Sequence, residues 1–142
     1  MRKTCLTVLL AGVLAGLPSL AAATSTKELR EKYLGKSFHL QYNLYYEDGE
    51  AMWVNFIGSP AFVSIGRKVT VQKINSNEAI LQVEEMPGDI VLEIEDATPD
   101  EETVLDRLLG DTPPKMEGFD EVDLKGIRLA RIMPGMTRKG VF

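Results

Sequence analysis

The sequence predicts an α+β protein: a small antiparallel, five-stranded, barrel-like sheet flanked by two short helices, after an N-terminal signal helix. Three observations predict it. From Phe38 to Glu95, apolar and polar residues alternate with period two between turn signals. On either side of that stretch, a capping sequence opens a short run of helical spacing. Met1-Arg2-Lys3, an apolar run from Leu6 to Leu17 and Ala21-Ala22-Ala23 follow the basic, apolar and small-residue order of a secretory signal. The chain divides accordingly into a signal over 1–23, a helix with a barrel-like sheet and capping helix over 24–110, and an irregular acidic loop with an incomplete C-terminal segment over 111–142.

The apolar run is shorter than the roughly 18 residues that a membrane span needs, and Gly12, Gly16 and Pro18 interrupt it. Ala21 and Ala23 hold the two positions that a signal peptidase reads, so cleavage is expected after Ala23, with no transmembrane anchor left. Cys5 precedes the apolar run instead of ending it, which argues against lipidation. The expected location is periplasmic or secreted. Cleavage removes Cys5, the one cysteine, so the mature chain has no disulfide, thiol nucleophile or thiolate ligand. Arg2 and Lys3 leave with it, which moves the net charge from −5 to −7. That balance argues against nucleic acid as a partner, since phosphates need Lys and Arg. It also argues against docking on anionic lipid through a basic patch.

The first helix opens at Ser25, with Glu28 closing a capping box. Leu29 and Tyr33 share its face, and Gly35 stops it. Phe38, Leu40, Tyr42 and Leu44 then alternate with His39, Gln41, Asn43 and Tyr45 as one half-buried strand. Met52, Val54 and Phe56 return after Glu47-Asp48-Gly49. A two-residue Asp48-Gly49 loop would set the two apolar groups on opposite faces. A three-residue loop is therefore expected, pairing Leu44 with Met52, Tyr42 with Val54 and Leu40 with Phe56.

Val69 and Val71 begin the next strand, and Asn75-Ser76-Asn77 turns it so that Leu81 and Val83 return opposite Val71 and Val69. A four-residue loop over Met86–Asp89 would then place Leu92 opposite Val83 and Ile94 opposite Leu81. Five strands that each offer one apolar face bury it by curling into a small barrel. Thr98 is the expected cap of the second helix, with Pro99 at its first position and Glu101 in the box. Val104, Leu105, Leu108 and Leu109 form its stripe, and Gly110 closes it. Asp111 to Asp123 reads as an acidic loop around Pro113-Pro114, and Gly126 to Ile132 as a short apolar segment. Thr137 would cap a further helix, yet the chain ends at Phe142, so truncation of a longer protein and a frayed tail both stand as readings.

Two resemblances follow from these residues. Tyr33-Leu34-Gly35-Lys36, Phe38-His39-Leu40 and Ile65-Gly66-Arg67-Lys68-Val69-Thr70-Val71 resemble exported bacterial SH3-like modules, over Gly35 to Glu95. That resemblance implies a binding or spacer module near the cell wall, not an enzyme. Ile132-Met133-Pro134-Gly135-Met136-Thr137-Arg138-Lys139-Gly140-Val141 resembles the helix start of outer-membrane assembly lipoproteins of the SmpA/OmlA type. It implies an accessory role in outer-membrane assembly, although the lipid-bearing cysteine of that family has no counterpart here. The whole chain looks most like uncharacterised exported proteobacterial proteins that join the two elements.

Candidate chemistry is sparse. His39, the one histidine, falls on the polar face of a strand beside Gln41 and Asn43. Glu84, Glu93 and Glu95 share a polar face and invite comparison with a calcium site or a glycosidase pair. No calcium-hand loop, nucleophile elbow or phosphate loop accompanies them, and a solvated acidic face is expected. No catalytic, cofactor-binding or metal residue is assigned, and a carboxylate-based hydrolase is kept only as a distant alternative. Tyr33, Tyr45 and Trp53 form the candidate binding surface; otherwise the first helix covers that face. The expected function is an exported, non-enzymatic binding or envelope-associated module, with an envelope protein or peptidoglycan as partner. The alternative is an accessory of outer-membrane assembly.

Overall fold

A computed structural model describes residues 25–54 and 61–141. The signal assignment at 1–23, with Ala21 and Ala23, lies outside them, as does Phe56. The architecture is α+β: a curled, half-barrel mixed sheet of six strands, a separate two-stranded sheet and short helices.

Helix α1 (Thr26–Tyr33) has the capping box read from the sequence. The Ser25 hydroxyl accepts from the Glu28 amide at 3.3 Å, and the Glu28 carboxylate accepts from the Ser25 amide at 3.0 Å. Leu29 and Tyr33 are buried from it, and Gly35 takes the left-handed φ of +73° that ends the turn. Strand β1 (Ser37–Leu40) buries Phe38 and Leu40 as the alternation requires.

The expected long first strand breaks after Leu40. Its second half is β2 (Leu44–Tyr46), which pairs with β4 (Ala61–Val63) and sets Leu44 opposite Val63. The turn between β2 and β3 (Glu50–Met52) corrects the hairpin expected here. Asp48 and Gly49, at φ +51° and +85°, form a two-residue loop, and Glu47 and Glu50 exchange both backbone hydrogen bonds. That loop does set the two apolar groups on opposite faces, and the strands resolve the conflict by parting. Strand β3 pairs parallel with β7 (Asp89–Glu93), Ala51 opposite Leu92. One register step has turned every side chain over. Ala51 is buried, whereas Met52 and Val54, expected inside, are each 51% exposed.

Strands β5 (Lys68–Ile74) and β6 (Glu78–Val83) pair as expected, Val69 with Val83 and Val71 with Leu81. A bulge between Val71 and Lys73 shifts the register, so Ile74 is the next residue to face inward. The β6–β7 register differs from the one expected: Leu92 faces Ala79, not Val83, and Ile90 faces Leu81. Glu85 and Gly88, both left-handed, lengthen the loop. The displacement is an even number of residues, so the apolar face is preserved.

Helix α2 (Glu101–Leu108) is capped by Asp100, not by Thr98. The Asp100 carboxylate accepts from the Thr103 amide at 2.7 Å and from its hydroxyl at 3.0 Å, which places Pro99 outside the helix. Val104, Leu105 and Leu108 are buried. Leu109 and Gly110 extend the chain into β8 (Leu109–Gly110), the short strand on the other side of β1. The two helices close over one core formed with Leu40, Val71, Leu81, Ile90 and Leu92, all fully buried. A polar clip ties them together. Lys32 reaches Glu102 at 2.6 Å and Asp106 at 2.7 Å, and the Tyr33 hydroxyl donates to Asp106 at 2.7 Å. Burial works against its charge, yet hydrogen bonds to Asp106 and Glu102 hold Lys32 protonated well above the usual lysine range.

The segment expected as loop and apolar tail contains a further helix, α3 (Glu121–Arg128), and the helix start expected after Thr137 is present as α4 (Arg138–Val141). Asp120 caps α3 by accepting from the Asp123 amide at 2.8 Å. Lys125 and Arg128 lie in its last turn, where cations favour the negative helix end.

Candidate functional site

The site grows from the break between β1 and β2. There Asn43 acts as a three-way tie. Its amide nitrogen donates to the Ile127 carbonyl at 2.7 Å, and its carbonyl oxygen accepts from the Ile65 amide at 2.8 Å. The Tyr45 hydroxyl donates to the Ala130 carbonyl. Both carbonyls lie near the C-terminal end of α3, where the Ile127 carbonyl also accepts from the Ala130 amide at 3.1 Å. Two side chains of the β1–β2 corner thus fasten α3 to the sheet.

A second joint fastens α4 to α3. Asp123 is fully buried. Its carboxylate accepts from the Thr137 amide and from the Thr137 hydroxyl, each at 2.7 Å. Burial opposes the charged form, yet these two bonds hold the Asp123 carboxyl below the usual aspartate range. Two glycines make the approach possible. A Cβ on Gly140 would lie 2.2 Å from an Asp123 oxygen, and one on Gly126 would lie 2.3 Å from the Met136 sulfur. The Gly135-Met136-Thr137 motif is therefore integral to the joint: Gly135 turns the chain at φ +93°, Met136 covers Gly126, and Thr137 meets Asp123.

Between the corner and the α3–α4 unit runs an open groove of about 730 Å³. Ile65, Phe119, Ile127, Ala130, Ile132 and Met136 give it largely apolar walls. Gln41, Asn43 and Tyr45 supply uncharged polar groups, and Arg131 and Lys139 supply cations. The Lys139 ammonium stands 4.5 Å from the Phe119 ring centroid and donates to the Glu117 carbonyl at 3.0 Å, which fixes it beside the groove. No carboxylate, histidine, serine or cysteine is among the described lining residues. Apolar walls with a few converging polar groups are the usual make-up of a small-ligand site, and the volume falls within the ordinary range of about 300–1,000 Å³. A second depression, of about 290 Å³, lies over Ser37, Lys68, Thr70 and Gln82. It is a polar sheet surface on which Ser37 and Thr70 already bond to each other at 2.8 Å.

The three aromatic residues singled out from the sequence have separate roles. Tyr33 is 1% exposed, packs on Phe38 and belongs to the core, so it offers no face to a ligand. Trp53 is half-buried against the core next to β3. Tyr45 alone lines the groove, its ring tilted against Phe62. His39 is half-buried on β1, with Nδ1 3.1 Å from the Gly66 carbonyl. Glu84, Glu93 and Glu95 are exposed, and among the described residues no three of His, Cys, Asp or Glu converge as a metal site. Asn43, Arg131 and Lys139 were missed. The signal that would have found α3 is Asp120 before an acidic first turn, with Lys125 and Arg128 in the last turn. Among the described residues no helix is long and apolar enough to cross a membrane. The chain matches no protein-family model, no curated protein and no solved structure.

Proposed function

We propose that this protein is an exported, envelope-associated and non-enzymatic binding module whose ligand site is the groove between the β1–β2 corner and the α3–α4 unit. The observation that carries the reading is the groove: an apolar cleft of ligand size, bounded by fixed polar groups and by two cations. Among its described lining residues no carboxylate, histidine, serine or cysteine stands beside the tyrosines and the two cations, and the reading therefore favours binding over catalysis. The signal-like N-terminus supports export, and the curled sheet is compatible with the resemblance to SH3-like modules.

The accessory role in outer-membrane assembly is the second reading. It is favoured by one observation, the start of α4 directly after Gly135-Met136-Thr137.

The test is fractionation of a bacterial host followed by binding to envelope components, with peptidoglycan fragments as one bait. The variant Ile132→Glu sets an acid in the groove at a residue that is 68% exposed, so the fold is undisturbed. Export to the periplasm and a retained component that the variant loses support the binding reading. Retention of outer-membrane assembly proteins alone supports the second. A cytoplasmic protein, or binding identical in wild type and variant, contradicts the first.

A further inference from the structure

We infer that the groove takes an anionic amphiphile, a single apolar chain that ends in a carboxylate or a phosphate. The inference rests on the binding-module reading and adds the chemical class of its ligand. Charge placement carries it. The chain has 21 acidic residues against 16 lysines and arginines, yet the described groove lining holds two cations and no carboxylate. The nearest acid in the joint, Asp123, is fully buried, has both oxygens engaged by Thr137 and is not among the described lining residues; its charge acts on Lys139 and leaves Arg131 as the less compensated cation.

The two cations differ in their freedom. Lys139 is tethered by the Glu117 carbonyl and the Phe119 ring. The Arg131 guanidinium makes no ion pair among the described residues. A guanidinium beside an apolar wall matches carboxylate and phosphate with two parallel hydrogen bonds. Ile132, the residue next to it, is 68% exposed and lines the same groove, so the apolar surface and the free cation are contiguous. A volume of about 730 Å³ suits one small molecule, whereas a stable protein interface needs a far larger surface.

The test is calorimetric titration of the purified protein with four monomeric probes: dodecanoate, dodecyl phosphate, dodecanol and dodecyltrimethylammonium. At least one anionic probe is expected to bind about tenfold more tightly than dodecanol, equivalent to about 1.4 kcal/mol. Arg131→Gln and Lys139→Gln are each expected to remove most of that advantage by weakening the anionic probes more than dodecanol. The ratio of dodecanoate to dodecyl phosphate identifies the headgroup. Equal or tighter binding of dodecanol or the ammonium probe overturns the ligand class but leaves the groove a binding site. Anionic binding that survives both cation variants, or Ile132→Glu, overturns the inference by locating the probes elsewhere. If no probe binds, the inference fails, and the envelope-fraction experiment decides the binding reading separately.

Discussion

From α1 to β8 the chain buries Leu29, Leu40, Val71, Leu81, Ile90, Leu92 and Leu105 against one another, with none of these more than marginally exposed. From Asp111 onward, Ala130 is the one buried hydrophobic residue among those described, at 9% exposure, and the other buried side chain is the charged Asp123. The first region is held by area. Its apolar face is contiguous, and each covered side chain contributes on the order of 1.5–3 kcal/mol. The second region is held by points: Asn43 and Tyr45 on the α3 carbonyls, and Asp123 on Thr137. A surface held by points does not close, and the groove is the gap that remains between the two. Ile132 lies at that gap and is left exposed there.

The largest expected effect removes the area-held region. Leu81→Ala deletes a fully buried side chain at the centre of the sheet. It should cost about 2–5 kcal/mol, read as a lowered urea midpoint for sheet and α3 signals together. Loss of α3 signals alone would contradict the dependence of the second region on the first.

Next comes the tie at the corner. Asn43→Ala leaves the Ile65 amide without this acceptor and takes one donor from the Ile127 carbonyl, which keeps the Ala130 amide. The expected cost is about 1–3 kcal/mol, concentrated in hydrogen exchange of α3, with β5 and β6 amides still protected. Uniform loss of protection across the sheet would mean that the two regions form one cooperative unit.

The Asp123 joint adds a pH dependence. Its carboxyl lies lower in the folded protein than the ordinary value of 3.8. A carboxyl lowered by folding stabilises above its unfolded value and loses that contribution as the pH falls through its folded value. Amides of α4 should therefore keep their protection at neutral pH and lose it in acid below about pH 3.8, ahead of the sheet. In Asp123→Ala that protection should already be absent at pH 7. Protection that persists in the variant would show that α4 is held by something other than Thr137.

The smallest effect concerns Ala130, which ends α3 at φ +49°, a conformation that costs a residue with a Cβ about 1 kcal/mol. Ala130→Gly should relieve up to about that amount in α3 exchange. A loss of stability would show that the methyl group matters more to the groove wall than the strain does.

This difference in construction also decides what could be read from the sequence. Residues that act through periodicity were legible: Leu29 and Tyr33 on α1, Val69 and Val71 opposite Val83 and Leu81, and the Val104-Leu105-Leu108 stripe. Point contacts were not. Asn43 looks like one more polar residue in an alternating strand, and nothing local says that it reaches residue 127. Turn chemistry misled where two rules conflicted. At Asp48-Gly49 the residue types favoured a two-residue loop and the face pattern a three-residue one. The loop followed the residue types, and the strands parted to satisfy the pattern with other partners. At the second helix, Thr98 and Asp100 are both good caps, and Asp100 holds the position because it bonds Thr103 through both oxygens.

The groove, as the site where ligand meets the seam between the two regions, is tested most directly by amide chemical-shift mapping with whichever of dodecanoate and dodecyl phosphate binds more tightly. Shifts should concentrate on Asn43, Ile65, Ile127, Arg131 and Lys139 and leave the outer sheet at Lys68, Thr70 and Gln82 unmoved. Shifts centred on Lys68, Thr70 and Gln82, or no shifts at the seam, would contradict it.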